Sequence, residues 1–372
     1  MILKTGSFVG MANDIKCSGS NVVVWGAGVV GVTTTSEILK QYNIDEFVSC
    51  CVDNDSARWG ENVQLGRKSV EIQNPDIIAK MSENTVVLIT ISRYFSALEQ
   101  LKNIVKDKNV SCYIIPVMCI ENFRNQEFNG AIKTSDAPII PKKIHYMWLG
   151  GNPLPECLQK CIDSWKEYCP DYEIVRWDET NYDVHKNLFM SQAYDNGKFG
   201  FVPDYARLDI LYNYGGIYMD TDVEILRNLD DLLYQESFCG VEKWQVLNFG
   251  GCSGAVKGTK VLEPFLEKWG QRVLLRKDGS LDTISSGLID TTVAFKMGYK
   301  ISGENQMLPG INIYSYDYFH PYDYMSGLLE KTGNTFSIHH FNGGWLDEKS
   351  KENNIKTIEN YKEILKNAIV VD

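Results

Sequence analysis

Residues 121–138, ENFRNQEFNGAIKTSDAP, are polar and lack hydrophobic periodicity, while on both sides short β-branched runs alternate with helical stretches. Such alternation builds parallel strands joined by crossover helices, so the chain is expected to be α/β throughout and to divide at this break. Upstream, strands are expected at 21–25 (NVVVW), 47–52, 85–91 and 111–117, with helices running to about Tyr42 and near 93–106. Downstream, strands are expected at 144–149 and 172–177 and helices near 155–168 and 203–214. The last helix leads through Gly215-Gly216 into a strand from Ile217 to Ile225. The expected domains are residues 1–130 and 138–372, each long enough to bury a core.

A formal net charge of −11 argues against a nucleic-acid partner, which needs basic surface to displace counterions. It also means that an anionic ligand must bring a divalent cation or meet well-placed arginines. The ten cysteines include the local spacings Cys157-x3-Cys161 and Cys161-x7-Cys169, but no second ligand pair follows. They are read as thiols in a reducing cytoplasm. The opening MILKTGSFVGMANDIKCSGS has no apolar core for a signal peptide, and no run approaches the roughly 18 apolar residues of a membrane span. A cytoplasmic protein is expected. The stretch 261–276, with Lys268, Arg272 and Arg276 among apolar residues, leaves peripheral contact with the inner membrane face open. A helix packed against a sheet shows the same pattern.

Gly26-x-Gly28-x-x-Gly31 falls between an expected strand and helix, and Asp53 ends the next strand. Glycines there let a backbone approach a pyrophosphate at a helix N-terminus, and the acid can accept hydrogen bonds from a ribose. A tight turn in any doubly wound domain uses the same glycines without a cofactor, so NAD(P) is an open expectation. The segment resembles the small Rossmann-like domains found beside sugar-modifying enzymes.

The densest chemistry lies in FVPDYARLDILYNYGGIYMDTDV, residues 201–223. Pro203 suits a first helical turn and Gly215-Gly216 a helix end. Asp204 and Arg207, three apart, share one helical face. Asp220 and Asp222, two apart, would share one face of a strand. Neighbouring carboxylates are costly without a cation, and hard oxygen ligands suit Mg²⁺ or Mn²⁺.

The order D-x-x-R, then L-Y-x-x-G-G-x-Y-x-D-x-D, resembles the DXD-containing glycosyltransferases of family 32, relatives of the clostridial glucosylating toxins. Residues 139–345 follow the resemblance. It implies a small Rossmann-like parallel-sheet domain followed by a GT-A type domain, a nucleotide-sugar donor (UDP-linked favoured), retention of configuration, and a glycan or lipid-linked oligosaccharide acceptor in the biosynthesis of a surface glycan such as a capsular polysaccharide. Asp220, Asp222 and a histidine would hold the metal, with His340 favoured over His339 by its spacing to Trp345. Asp204 and Arg207 would hold sugar and phosphates. Trp148 would carry the base, though it also alternates with Ile144 and Tyr146 as core. Asp178 could touch ribose or cap a turn, and Asn248 could touch the donor or serve a turn. Trp345 would complete the nucleotide-sugar site. The chain departs from the family at Gly344, where serine is usual, and at Leu288 after Ser286-Gly287. Two other readings follow from the same residues: an NAD-dependent sugar-nucleotide oxidoreductase, and a non-catalytic nucleotide-sugar-binding subunit.

Overall fold

The computed structural model describes residues 1–91, 94–106, 108–123, 129–342 and 348–371, without the side chains of 348–354. The chain forms two compact units: Met1–Asn125 with Lys300–Ser302 and Glu352–Asp372, and Gln126–Tyr299 with Gly303–Lys351. The second domain expected over 138–372 therefore loses its last stretch to the first unit.

The first unit is built on a sheet in the order Ile369–Val371, Ile2–Gly6, Ser111–Ile114, Thr85–Ile89, Asn21–Trp25, Val48–Val52, Lys68–Gln73, Asn62–Leu65. All neighbours run parallel except the final hairpin. The four expected strands form its centre. Val22, Val23, Val24, Val86, Val87 and Leu88 are buried, as β-branched runs covered on both faces must be. The sequence did not signal the two flanking strands on one side, because Ile2–Gly6 is only partly apolar and Ile369–Val371, though apolar, is just three residues long. Past Ile114 the expected strand becomes the helix Ile115–Asn122, entered at Pro116, where a missing N–H costs nothing.

The second unit holds a mixed sheet in the order Gln306–Leu308, Ile311–Tyr314, Ser237–Val241, Ser253–Ala255, Gly216–Tyr218, Lys143–Met147, Glu173–Trp177, with Leu247–Asn248 paired to Ser237–Val241. Gly216–Tyr218, Lys143–Met147 and Glu173–Trp177 are parallel. Alternation separates two cores. Ile144, Tyr146 and Ile217 face one cluster with Trp165 and Phe238, while Met147 and Tyr218 face another with Phe189, Leu208 and Leu211.

Four hydrogen bonds fix the segments on either side of the acidic motif. His145 is buried, and burial pushes its pKa down to about 4. Trp177 Nε1 can only donate, so His145 Nδ1 accepts from it at 3.2 Å and Nε2 donates to Gly215 O at 2.8 Å. A neutral imidazole thus ties the end of the helix Pro203–Tyr214 to the central strand. In the helix Glu156–Tyr168, Leu158, Cys161, Ile162 and Trp165 form the buried stripe. Trp165 Nε1 donates to Val223 O at 2.7 Å, and Ile225 N donates to Ser164 Oγ at 2.9 Å. Cys161 belongs to that stripe while Cys157 is exposed, so the two do not form a ligand pair, and all ten cysteines are free thiols. Within 261–276, Phe265 and Trp269 are core and Arg272 lies over the Phe189 and Trp269 rings, both at 4.7 Å. The packing account of that stretch therefore holds. Among the described residues no helix is long and apolar enough to cross a membrane.

The returning C-terminal strand makes a prediction. Gly6 has φ +128° and pairs with Val371, and a Cβ there would sit 1.9 Å from Val371 O. Gly6→Ala should cost roughly 1–3 kcal/mol or more and open the C-terminal segment to protease. Urea unfolding with limited proteolysis checks this; an unchanged midpoint and cleavage pattern would contradict it.

Candidate active site at the Asp220–Asp222 turn

The helix Pro203–Tyr214 ends where Gly215 and Gly216 take φ +68° and +98°, and it carries Asp204 and Arg207 on one buried face. Arg207 Nη2 donates to Asp204 Oδ1 at 3.0 Å and Nε donates to Pro203 O at 3.0 Å. The same guanidinium lies 3.5 Å from Asp220 Oδ2. The strand expected to run through to Ile225 is interrupted. Gly216–Tyr218 and Val223–Ile225 belong to different sheets, and Asp220–Asp222 form a turn closed by Val223 N donating to Asp220 O at 3.2 Å. The two carboxylates converge through that turn, not through strand alternation.

The turn rests on the loop Asn248-Phe-Gly-Gly. Asp220 N donates to Gly250 O at 2.7 Å. Asn248 Oδ1 accepts from Gly250 N at 2.8 Å and Gly251 N at 3.0 Å, while its Nδ2 donates to Glu242 Oε1 at 2.8 Å. Asn248 is thus a turn asparagine that shapes the loop. A Cβ on Gly250 would stand 2.1 Å from Asp220 Oδ2 and 2.8 Å from Arg207 Nη1, and one on Gly251 would stand 1.8 Å from the His320 ring. Only glycines let the backbone come this close to the acid.

The histidine beside the acids is His339, a correction to the choice of His340. Val223–Ile225 pairs antiparallel with Ser337–His339, register Val223↔His339. Neighbouring residues leave an extended chain on opposite sides. His339 Nε2 comes within 3.2 Å of Asp222 Oδ1, whereas His340 Nε2 meets Glu224 Oε2 at 2.9 Å. Asp222 Oδ2 also accepts from Asn342 N at 2.9 Å. Asp220, Asp222 and His339 each offer one ligand atom, all within 4.8 Å of one another. Two carboxylate oxygens and an imidazole nitrogen at this spacing fit one divalent cation.

Burial and charge oppose each other here. Burial alone would raise Asp222, but the His339 charge and hydrogen bond bring it down to about 2. Asp204 moves the other way: burial lifts it to about 6 against the pull of Arg207. Asp290, in the helix Ser286–Lys296, is buried and rises to about 7, with Trp269 Nε1 donating to its Oδ1 at 2.8 Å. Arg207 is held above its ordinary value, since burial is outweighed by Asp220 and Asp204. The sequence reading missed Asp290, Glu242, Gly250 and His320. Each reaches the site from a distant segment, and only the double glycine after Asn248 hinted at a close approach.

The remaining expected residues have local partners of their own. Trp148 is half-buried on the Ile144 and Tyr146 face, its Nε1 donating to Asn152 O at 2.7 Å. Asp178 Oδ1 accepts from Thr180 N at 3.0 Å and from the Thr180 hydroxyl at 2.5 Å, the geometry of a turn cap. Trp345 lies outside the described residues. In the first unit, Gly26, Gly28 and Gly31 follow the strand Asn21–Trp25, whose neighbours diverge to Val48–Val52 on one side and Thr85–Ile89 on the other. Gly31 packs on the loop, a Cβ there standing 2.0 Å from Gly26 O, while Gly28 faces open space. Asp53 Oδ2 accepts from Ala27 N at 2.7 Å, so the acid expected at a ribose is bound to the glycine loop itself.

Residues 155–239 match the family of glycosyltransferase sugar-binding regions containing a DXD motif. That segment includes Asp204, Arg207, Asp220 and Asp222, and His339 lies beyond it. The chain is similar to inositol phosphoceramide mannosyltransferase 1 of Schizosaccharomyces pombe, 33% identical over 27% of this chain and 33% of that protein. It is also similar to mannosyl phosphorylinositol ceramide synthase SUR1 of Saccharomyces cerevisiae, 34% identical over 41% of this chain and 40% of that protein. The chain thus spans about a third to two-fifths of these relatives. A solved structure, the PaToxG glycosyltransferase, aligns at a TM-score of 0.33 and 18% identity over 42% of this chain and 69% of that one.

The buried acids make stability depend on pH. Asp290 binds its proton more tightly folded than unfolded, so the wild type loses stability as pH rises from about 4 to about 7. Asp290→Asn removes that titration and keeps an acceptor for Trp269. Its stability relative to wild type should rise across this window by on the order of 1–4 kcal/mol and then level off. Denaturant titrations at stepped pH check it; a pH-independent difference would contradict it.

Proposed function

We propose that the chain is a divalent-metal-dependent hexosyltransferase that moves a hexose from a nucleotide-sugar to a hydroxyl of a glycan or glycolipid. The observation carrying this reading is the convergence of Asp220 and Asp222, on one turn, with His339 from the paired strand, and with Arg207 against the first acid. An acidic chain gathers acids beside a buried arginine at a cost of several kcal/mol unless a ligand of mixed charge uses them. A cation held there would act as a Lewis acid on a nucleoside diphosphate. An imidazole in the donor set favours Mn²⁺ over Mg²⁺.

On this reading the chain's own groups divide the work. Arg207, pinned by Asp204, presents a fixed guanidinium to phosphate or sugar oxygens. His339 orients Asp222, and the Gly250 carbonyl fixes Asp220, so the site is formed before the donor arrives. Trp148, at the end of the central strand, offers a half-exposed ring to the base. The second unit is read as a GT-A type fold with retention of configuration, and the first as a Rossmann-like partner. Asp53 is engaged by Ala27, so NAD(P) chemistry takes no part in the proposal. The relatives' names support mannose as the transferred hexose, so GDP-mannose stands beside the UDP-hexoses as donor. They also support an inositol-bearing glycolipid beside the surface glycans as acceptor.

Thermal shift with UDP- and GDP-sugars, with and without Mn²⁺, tests the reading. A cognate donor at about 100 times its Kd should stabilise the fold by about 2.7 kcal/mol, and only with the metal. Asp222→Ala should abolish both the shift and donor turnover; normal turnover in that variant would refute the metal role.

Gly250→Ala tests the preformed turn. The added methyl must displace Asp220 or Arg207, and a misplacement of about 1 Å is expected to cut turnover on the order of a hundredfold. Steady-state kinetics checks this, and wild-type turnover would contradict it.

A further inference from the structure

Three buried nitrogens beside the acid turn have no use in the reading so far. Among the described residues, His339 Nδ1 and both ring nitrogens of His320 meet no partner in hydrogen-bond geometry. His320 has no exposed surface, and His339 is 5% exposed. The two imidazoles are neighbours, with centroids 5.5 Å and planes 49° apart. Buried polar atoms nearly always pair, because an unmade hydrogen bond leaves the full cost of losing water. Three orphans confined to two adjoining rings point to each other. The χ2 torsion of a histidine is broad, so a modest swing of either ring can bring an N–H to face a bare nitrogen.

His320 is held in place by its surroundings. It follows the helix Tyr316–Phe319, with its N donating to Tyr316 O at 2.7 Å. Phe336 N donates to Tyr318 O at 2.8 Å and ties that helix to the strand Ser337–His339. Two glycines from other segments clear the space for the ring. A Cβ on Gly251 would stand 1.8 Å from His320 Cε1, and one on Gly240 would stand 3.3 Å from Cδ2. The Asn248 backbone comes near the ring without reaching hydrogen-bond geometry. Phe341, at φ +49°, stacks on His339 with centroids 4.0 Å and planes 19° apart, and meets His320 at 6.1 Å. Phe341 thus sets the plane of the His339 ring but gives its Nδ1 no partner.

The chemistry of the pair follows from where the protons sit. A wholly buried imidazole with no ion-pair partner among the described residues stays neutral, so His320 keeps one donor and one bare nitrogen. His339 is pulled two ways. Its Nε2 lies 3.2 Å from Asp222 Oδ1, and a carboxylate there draws the ring proton to Nε2. A cation needs that same nitrogen bare, with the proton on Nδ1. Asp222 therefore favours the wrong tautomer unless an acceptor takes the Nδ1 proton, and the bare nitrogen of the adjoining ring is such an acceptor.

We propose that His320 is a positioning residue for the metal site: its bare nitrogen accepts from His339 Nδ1–H and so presents His339 Nε2 to the cation. The inference rests on the metal-dependent reading of Asp220, Asp222 and His339. His320 acts through His339 alone.

The full chain, labelled with ¹⁵N-histidine, tests this by nuclear magnetic resonance. In the metal-free wild type and again with Mg²⁺, coupling through the hydrogen bond is expected between His339 Nδ1 and one His320 nitrogen. Its absence in both states, or a His339 that carries no Nδ1 proton once Mg²⁺ is bound, overturns the proposal. Mn²⁺ titration followed by electron paramagnetic resonance compares His320→Phe, His320→Asn and His320→Gln with wild type. The first keeps a ring and loses both nitrogens; the others return an acceptor oxygen near Nδ1 or Nε2. His320→Phe should weaken Mn²⁺ affinity on the order of tenfold, and His320→Asn or His320→Gln should restore it to within about threefold. Wild-type affinity in His320→Phe overturns the assignment. So does an equal loss in all three variants, which marks His320 as packing alone. A wild type that binds no Mn²⁺ contradicts the metal reading, a separate result, since the coupling in the metal-free chain still reads the imidazole pair.

Discussion

Two carboxylates on one three-residue turn repel each other, and the second unit is organised around what holds them there. Arg207 answers Asp220 from the helix, at 3.5 Å, and His339 answers Asp222 from the returning strand, at 3.2 Å. Either contact alone would leave one acid uncompensated. The helix must end at Gly215-Gly216 to deliver the arginine, and His145 fastens that end to the central strand. The loop 248–251 needs glycines so that its carbonyl can reach Asp220.

This arrangement exchanges stability for a preformed site. Asp204 and Asp290 both have pKa values raised by burial, to about 6 and about 7, under an arginine that already serves Asp220. Groups with perturbed titration concentrate at sites that handle charge, because the same desolvation that costs folding energy strengthens every interaction with a charged ligand. Phe341 follows the same logic in its backbone, held in a left-handed conformation beside the site.

Much of this was legible locally and little of it at long range. Pro203, the spacing of Asp204 and Arg207, and the double glycine announced the helix, its face and its end, since each is a short-range rule. The Asp-Thr-Asp segment was read as strand because apolar Ile217 and Ile225 bracket it, but the two ends pair with different sheets. The choice between His339 and His340 turned on one residue of strand parity, which the pairing with Val223 sets and sequence spacing cannot. Asp290, Glu242 and His320 carry no local signature. The strand Ile369–Val371 was hidden for the same reason: three residues acquire meaning only beside Ile2–Gly6. In the glycine loop the sequence left a cofactor cradle and a bare tight turn both open, and the use of Asp53 to hold that loop at Ala27 shows only in the folded chain.

The parity of the histidine pair gives the most direct test of the central claim. Mn²⁺ titration followed by electron paramagnetic resonance, on His339→Ala and His340→Ala beside the wild type, reads the ligand set without reference to turnover. His339→Ala is predicted to weaken Mn²⁺ affinity at least about tenfold while His340→Ala stays within about twofold of wild type. The reverse order, or equal affinity in all three proteins, would contradict the account.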